Sequence, residues 1–176
     1  YGASVKLTPD GLVLVVGSPT LDTQSSPGKG GSVYVYTKSK NGDAFKLKQT
    51  LTSSIVKEDW NTRAFGSFLN LDYEGLVLSV SVNQDNRVSQ GPPSAAKSTN
   101  DLPRIVFVAV DRNDQSVSSS PIRIVAQYKT TKIEETDVDP LFGASVSMTR
   151  VSDPPSVVVI VGSSVNQVAT QVRFPI

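Results

Sequence analysis

Hydrophobic and polar residues alternate along three short segments, which predicts half-buried β-strands. The segments are ASVKLT, SFLNLD and ASVSMT, and they follow the pairs Tyr1-Gly2, Phe65-Gly66 and Phe142-Gly143. Alternation with a period of two places the apolar side chains on one face of a strand. Because each segment follows the same kind of aromatic-glycine pair, we interpret the three segments as the first strands of three copies of one unit.

A turn and a more continuous hydrophobic run follow each predicted first strand. The turns are PDG, YEG and SDPP, and the runs are LVLVVGS, LVLSVSV and VVVIVGS. Proline, glycine and aspartate favour turns, each through its own backbone preference. Runs rich in valine and leucine are typical of strands that are buried on both faces. We therefore predict a second strand in each unit, placed within a stack of sheets.

Further alternating segments complete the units. In the first unit GSVYVYTKS places Tyr34 and Tyr36 on one face, and FKLKQTLT, after a turn at residues 40–43, places Leu47 and Gln49 together on one face. The second unit continues with RIVFVAVDR and IRIVAQYK, and the third with TQVRFPI. The pattern thus predicts eleven strands, with four, four and three in successive units and no helix.

Four-stranded antiparallel meanders that recur at this spacing are typical of β-propeller blades. The glycines of the three aromatic-glycine pairs lie 64 and 77 residues apart. We predict an all-β fold with blades at residues 1–63 and 64–141 and a partial, three-stranded blade at 142–176. Propellers typically have four to eight blades, so this chain holds an incomplete ring. We expect either a segment of a longer propeller or a chain that completes its ring with copies of itself or with another chain.

The order of these motifs resembles the FG-GAP repeat of integrin alpha-subunit propellers and related cell-surface proteins. Unit one has YGASV, then GSP at 17–19 where the family has Gly-Ala-Pro, then GSVYVY at 31–36. Unit three repeats FGASV and VGS, whereas unit two departs with SVN at 81–83. The resemblance covers nearly the whole chain. It implies an extracellular or cell-surface binding and structural module, similar to adhesion proteins and without enzymatic activity.

The composition excludes several kinds of chemistry. The chain has no histidine and no cysteine, so His-dependent triads, thiol nucleophiles and the usual zinc sites are excluded. The net charge is +1, which argues against a nucleic-acid partner. No apolar run is long enough to predict a membrane span.

Two alternatives to a binding module remain. One is a carbohydrate-active propeller enzyme, which would need two carboxylates across a pocket and would depend on residues such as Glu58 or Asp59. The acidic residues lie on predicted loops and do not recur at matching positions of the units, so we predict no enzyme. The other alternative is an architectural subunit of a surface filament or matrix that has no soluble ligand.

We also predict that the chain uses no cofactor and no metal ion. In many FG-GAP repeats the first turn of the unit is a calcium loop, because calcium needs several converging oxygen ligands. Here the corresponding turns offer Asp10, then Asp72 and Glu74, then Asp153. One or two carboxylates per turn are too few for such a loop. Asp72 and Glu74 are the residual candidates for a metal site.

The aromatic-glycine pairs are predicted to pack between blades. Glycine allows a close approach of neighbouring backbones, and the aromatic ring of the pair is expected to fill the wedge between two blades. This interpretation assigns the pairs to architecture and leaves binding to the loops.

The loops of one propeller face are the predicted ligand-binding surface. Sheets fix the positions of such loops while leaving their sequences free, and the resemblance to integrins implies that this face meets a protein or glycan ligand. The loops lie at 20–31 and 83–103, although the second equally suits a surface excursion without a partner. The candidate contact residues, on these loops and on the link between the first two blades, are Asp22, Lys29, Trp60, Arg63, Asn86 and Arg87.

Overall fold

The chain folds into three antiparallel β-sheets. The structure, a computed structural model, describes residues 1–19, 30–52, 65–75, 77–82, 104–110, 124–129, 145–162 and 169–175. Within these ranges there are eleven strands and no helix. The all-β prediction and its eleven strands are therefore confirmed, and within the described residues no sheet closes into a ring.

Each sheet takes its strands from one consecutive stretch of the chain, and neighbouring strands pair in meander order. Sheet I contains β1 (Ser4–Leu7), β2 (Val13–Ser18), β3 (Ser32–Thr37) and β4 (Lys46–Thr52). Sheet II contains β5 (Leu69–Leu71), β6 (Val77–Val82), β7 (Arg104–Ala109) and β8 (Ile124–Lys129). Sheet III contains β9 (Val146–Ser152), β10 (Pro155–Gly162) and β11 (Ala169–Pro175).

Sheets I and II share one hydrophobic core. The valines of β2 and β3 on one face of sheet I meet the leucines and valines of β5, β6 and β7. We call the face of a sheet that packs on the preceding sheet face A, and the opposite face, which receives the following sheet, face B. Face B of sheet I is formed by Val13, Val15, Val33, Val35 and Leu51, and face A of sheet II by Leu69, Leu78, Val80, Val106 and Val108.

Sheets II and III repeat this arrangement with the next pair of faces. Face B of sheet II contributes Val77, Ile105 and Phe107 to a second core. Face A of sheet III contributes Val146, Met148, Val157, Val159 and Val161. Sheet II is therefore covered on both faces, which explains why its strands β6 and β7 carry buried residues at successive positions.

The two interfaces use equivalent positions of the units. Leu69 pairs with Val80 across β5 and β6, and Val146 pairs with Val161 across β9 and β10. In both sheets this pair lies on face A. The corresponding pair of sheet I is Val5 with Val16, which lies on a face that no described sheet covers.

The packing role predicted for the second aromatic-glycine pair is confirmed. Phe65 is fully buried in the core between sheets I and II, and its backbone N–H donates to the carbonyl of Gly30 at 2.6 Å. Gly66 adopts a φ of +88°, and a Cβ there would lie 2.9 Å from Cγ2 of Val33. A Cβ on Gly17 would overlap the carbonyl oxygen of Gly66. Glycine at both positions lets the two backbones touch.

Tyr1 departs from the same prediction. The side chain of this residue, the first-unit equivalent of Phe65, is 75% exposed, and a Cβ on Gly2 would meet nothing within 4 Å. The physical reason is that, in the part of the chain that the structure describes, no sheet lies against face A of sheet I. The predicted pair at Phe142-Gly143 lies outside the described residues.

A β-bulge corrects the predicted face of Leu47. The register of β3 and β4 shifts between Val35 and Tyr36, so that Gln49 pairs with Val35 whereas Leu47 pairs with Tyr36. Leu47 and Gln49 therefore lie on opposite faces, although simple alternation placed them together. An extra residue in one strand reverses the alternation beyond it.

Candidate functional site

The predicted ligand-contact residues lie outside the described residues. These are Asp22, Lys29, Trp60, Arg63, Asn86 and Arg87. Their role as contacts for a protein or glycan stays a prediction. Glu58 and Asp59, the carboxylates named for the enzymatic alternative, also lie outside the described residues.

The residual metal candidates, Asp72 and Glu74, lie in the turn between β5 and β6. Two backbone hydrogen bonds close this turn. Asp72 N donates to Val77 O at 3.0 Å, and Gly75 N donates to Asp72 O at 3.0 Å. Oδ1 of Asp72 accepts a further hydrogen bond from the backbone N–H of Val77 at 2.9 Å. One carboxylate oxygen therefore stabilises the turn itself.

The other oxygen of Asp72 binds an arginine of the next sheet. Nε of Arg150, on β9, donates to Oδ2 of Asp72 at 2.6 Å, and a terminal nitrogen of Arg150 lies 3.2 Å from Oε2 of Glu74. The side chain of Asp72 is 0% exposed, whereas those of Arg150 and Glu74 are 25% and 54% exposed. A guanidinium on β9 of sheet III thus connects to two carboxylates in the first turn of sheet II.

The first unit has the same turn with a threonine hydroxyl in place of the buried carboxylate. Thr8 occupies the place of Asp72, and its Oγ1 accepts from the backbone N–H of Val13 at 3.0 Å and donates to Oδ1 of Asp10 at 2.6 Å. Thr8 is buried because Gly75 of the next unit packs on it: a Cβ on Gly75 would lie 2.6 Å from Cγ2 of Thr8. The first turn of each of these two units therefore contacts the following unit.

This geometry gives Asp72 and Glu74 a partner of opposite charge within the chain. The positive charge between the two carboxylates is supplied by Arg150. Among the residues that the structure describes, no group of three or more acidic, histidine or cysteine side chains is placed to hold a metal ion. The arrangement serves as an ionic link between two sheets.

Millimolar calcium is accordingly expected to leave the thermal midpoint of the chain unchanged. A cation would have to displace the Arg150 guanidinium and would then find only two carboxylates, although calcium prefers six to eight oxygens. Thermal unfolding followed by circular dichroism, with calcium and with EDTA, measures this. A midpoint that rises with calcium, and that no longer rises in the Asp72→Asn variant, would contradict the expectation.

Face A of sheet I carries most of the large hydrophobic side chains that are exposed among the described residues. On this face Val5 and Leu7 of β1 are 52% and 55% exposed, and Leu47 of β4 is 44% exposed. Leu14 of β2, Tyr34 and Tyr36 lie beside them by strand register. An exposed apolar patch that spans a whole sheet marks an interaction surface.

Three tyrosines form the end of this surface. The hydroxyls of Tyr1 and Tyr36 are 2.7 Å apart and hydrogen-bonded, and the rings of Tyr1 and Tyr34 have centroids 5.4 Å apart at an angle of 51°. The hydrogen bond to Tyr36 is the main cause that raises the pKa of Tyr1 above its ordinary value. The Tyr1 hydroxyl therefore stays neutral near pH 7.

Neither a protein-family model nor a curated protein matches the chain. The described residues contain no helix with the length and hydrophobicity that a membrane span requires.

Sequence reasoning did not identify face A of sheet I as an exposed apolar surface. The signal was present in the alternation, because Tyr34 and Tyr36 share a face and Tyr1 stands where Phe65 stands in the next unit. The sequence predicts that such a face is buried in a stack. Only the sheet order shows that sheet I is the end of the described stack.

Proposed function

We propose that this chain is a non-enzymatic binding and structural module of the extracellular space or the cell surface, built from successive FG-GAP-like propeller blades. The observation that carries the proposal is the repeated interface. Sheet II packs on sheet I, and sheet III on sheet II, through equivalent faces. Repetition of one packing geometry with antiparallel meanders is how propeller blades associate.

A second feature supports radial packing of the sheets. Neighbouring sheets contact each other mainly through their first strands: β1 lies beside β5, and β5 lies beside β9. In a propeller the first strands line the central axis and the outer strands diverge. The side chain of Asn70 on β5 also donates to the carbonyl of Val146 on β9, which joins these first strands directly.

The proposed binding role rests on the loops and on the resemblance to integrin propellers. The candidates Trp60, Asn86 and Arg87 combine an aromatic ring, an amide and a guanidinium, which suit glycan or protein recognition. Rigid sheets would present these side chains at fixed positions.

A glycan and cell-surface protein array, read together with a glycoside hydrolysis screen, tests this role. We expect retention of at least one ligand without turnover. The Trp60→Ala and Arg87→Ala variants should weaken binding at least about tenfold, as truncation of contact residues at the centre of an interface does. Asn41→Asp, in the exposed turn between β3 and β4, is the control and should bind like the unmodified chain.

Two outcomes would contradict the proposal. Hydrolysis that is lost in Glu58→Gln or Asp59→Asn would favour the carbohydrate-active enzyme. Absence of any ligand together with ordered polymers in electron micrographs would favour the architectural subunit of a filament or matrix.

A further inference from the structure

The exposed hydrophobic residues of the chain gather at the two ends of the sheet stack. Among the described residues, the large hydrophobic side chains that are exposed are Tyr1, Val5, Leu7, Leu47, Tyr73 and Ile160. All of these except Tyr73 lie either on face A of sheet I or on face B of sheet III. The apolar exposure is therefore concentrated where a further sheet would continue the stack.

Face A of sheet I has apolar residues at the same register positions as the covered face A surfaces of sheets II and III. Val5 pairs with Val16 and Leu7 with Leu14, in the register in which Leu69 pairs with Val80. Gly2 has a φ of +77°, close to the +88° of Gly66. At Gly66 this left-handed conformation accompanies a close contact with the preceding sheet. Gly2 has the same conformation, although a Cβ there would have nothing within 4 Å.

Face B of sheet III has the design of a face B that receives a sheet. Ile160 pairs with Ser147 as Val15 pairs with Lys6 in sheet I. Val158 is half-buried and Ile160 is 48% exposed, although the equivalent Val13 and Val15 are 1% and 0% exposed under sheet II. Exposed polar residues of β9 and β11 surround this apolar centre, and these are Ser147, Thr149, Gln171 and Arg173.

We propose that face A of sheet I docks onto face B of sheet III of a second copy of this chain. The contact would repeat, between two chains, the interface that sheets I and II and sheets II and III form within one chain. It is a head-to-tail contact between two different surfaces, so it closes into a ring when the rotation permits. Two copies with three sheets each would give six sheets, which lies within the range of known propellers.

The docking of two copies is argued from the packing of the sheets and does not depend on the binding role proposed above. A chain that stays monomeric and nevertheless binds a glycan or protein would overturn the docking proposal alone. A chain that associates head to tail without any ligand would leave the docking proposal standing and count against the binding role.

Sedimentation velocity of the 18.8 kDa chain over a wide concentration range tests the proposal. We expect a dimer that dissociates on dilution. Leu7→Asp places a charge on face A of sheet I, and Ile160→Asp places one on face B of sheet III. Each should raise the dissociation constant at least about tenfold, whereas Asn41→Asp adds the same charge in a turn and should leave it unchanged.

Mixing the two variants separates head-to-tail docking from other modes of association. Leu7→Asp retains an intact face B of sheet III, and Ile160→Asp retains an intact face A of sheet I. An equimolar mixture should therefore form a heterodimer through the one intact pair of faces, with an affinity at least about tenfold higher than that of either variant alone. Because both sites are exposed, we expect the substitutions to leave the monomer folded, and circular dichroism and the thermal midpoint would verify this.

Three results would overturn the proposal. The first is a monomer at every concentration. The second is association that neither substitution weakens. The third is a mixture of the two variants that associates no better than each does separately, since head-to-tail docking leaves one intact pair of faces in the mixed dimer.

Discussion

Replacing Gly17 by alanine is expected to lower the free energy of unfolding by about 3 kcal/mol, the upper part of the range for overpacked sites. A Cβ at this position would overlap the backbone carbonyl oxygen of Gly66 and would lie 3.3 Å from Cδ1 of Leu69. The overlap is with the backbone of the neighbouring sheet, which no rotamer change relieves. Sheets I and II would have to separate locally, with loss of packing around Phe65.

Gly162 provides the matched control for this substitution. It occupies on β10 of sheet III the place that Gly17 occupies on β2 of sheet I. Among the described residues, the atoms nearest to a Cβ at Gly162 belong to Ser145, with Cβ of Ser145 at 3.3 Å. Neither glycine has a left-handed φ, so alanine suits both backbones. Gly162→Ala should cost about 1 kcal/mol or less.

Urea unfolding monitored by circular dichroism measures the difference. For a chain of this size about 3 kcal/mol corresponds to a fall of roughly 6 to 12 °C in the thermal midpoint. Equal stability losses for Gly17→Ala and Gly162→Ala would show that the contact between Gly17 and Gly66 does not set the distance between the sheets.

Loss of Arg150 is expected to destabilise the fold by about 3 kcal/mol, because removing one partner of an ion pair with a buried carboxylate is costly. Loss of Asp72 is expected to cost less through the charge, because Arg150 keeps its contact with Glu74. In Arg150→Leu the carboxylate of Asp72, which is 0% exposed, keeps its hydrogen bond from Val77 but loses the guanidinium. In Asp72→Ala the N–H of Val77 also loses its acceptor.

The first unit supplies the design of the compensating variant. Thr8 satisfies the N–H of Val13 through a hydroxyl in the place of Asp72, so Asp72→Thr should restore the turn without the charge. The double variant Asp72→Thr/Arg150→Leu is expected to lie within about 1 kcal/mol of the original chain, since an apolar replacement of a whole buried pair is often neutral.

A double-mutant cycle in urea measures this coupling. The single substitutions Asp72→Thr and Arg150→Leu, together with the double variant, give the interaction energy between residues 72 and 150. Additive losses would show that the two side chains do not interact across the sheets, and the link between sheets II and III would then have to rest on the hydrophobic core alone.

The strands could be predicted from the sequence because they depend on local patterns. Alternation in SVKLT and the valine run of VVVIVGS predict strands that the structure contains as β1 and β10. The packing role of Phe65-Gly66 was also predictable, since a left-handed φ and a close backbone contact both require glycine. The bulge opposite Tyr36 was not, because nothing in FKLKQTLT marks where the register shifts.

The candidate site was less predictable than the fold. The turn at Asp72 was identified as an acidic turn, but its partner Arg150 lies 78 residues away in sequence. No local sequence pattern predicts that an arginine so far along the chain lies next to Asp72. The sequence could not predict that Tyr1, Val5 and Leu7 are exposed either, because residues with the same pattern are buried in the next unit.

The sequence by itself determined the all-β class, the order of the strands and the places where backbones can touch, because period-two alternation, turn residues and glycine act over a few neighbouring residues. Only the tertiary structure decided which faces are covered, which charge pairs with Asp72 and where apolar surface remains. These features depend on the stacking of whole sheets, in which residues far apart in sequence become neighbours.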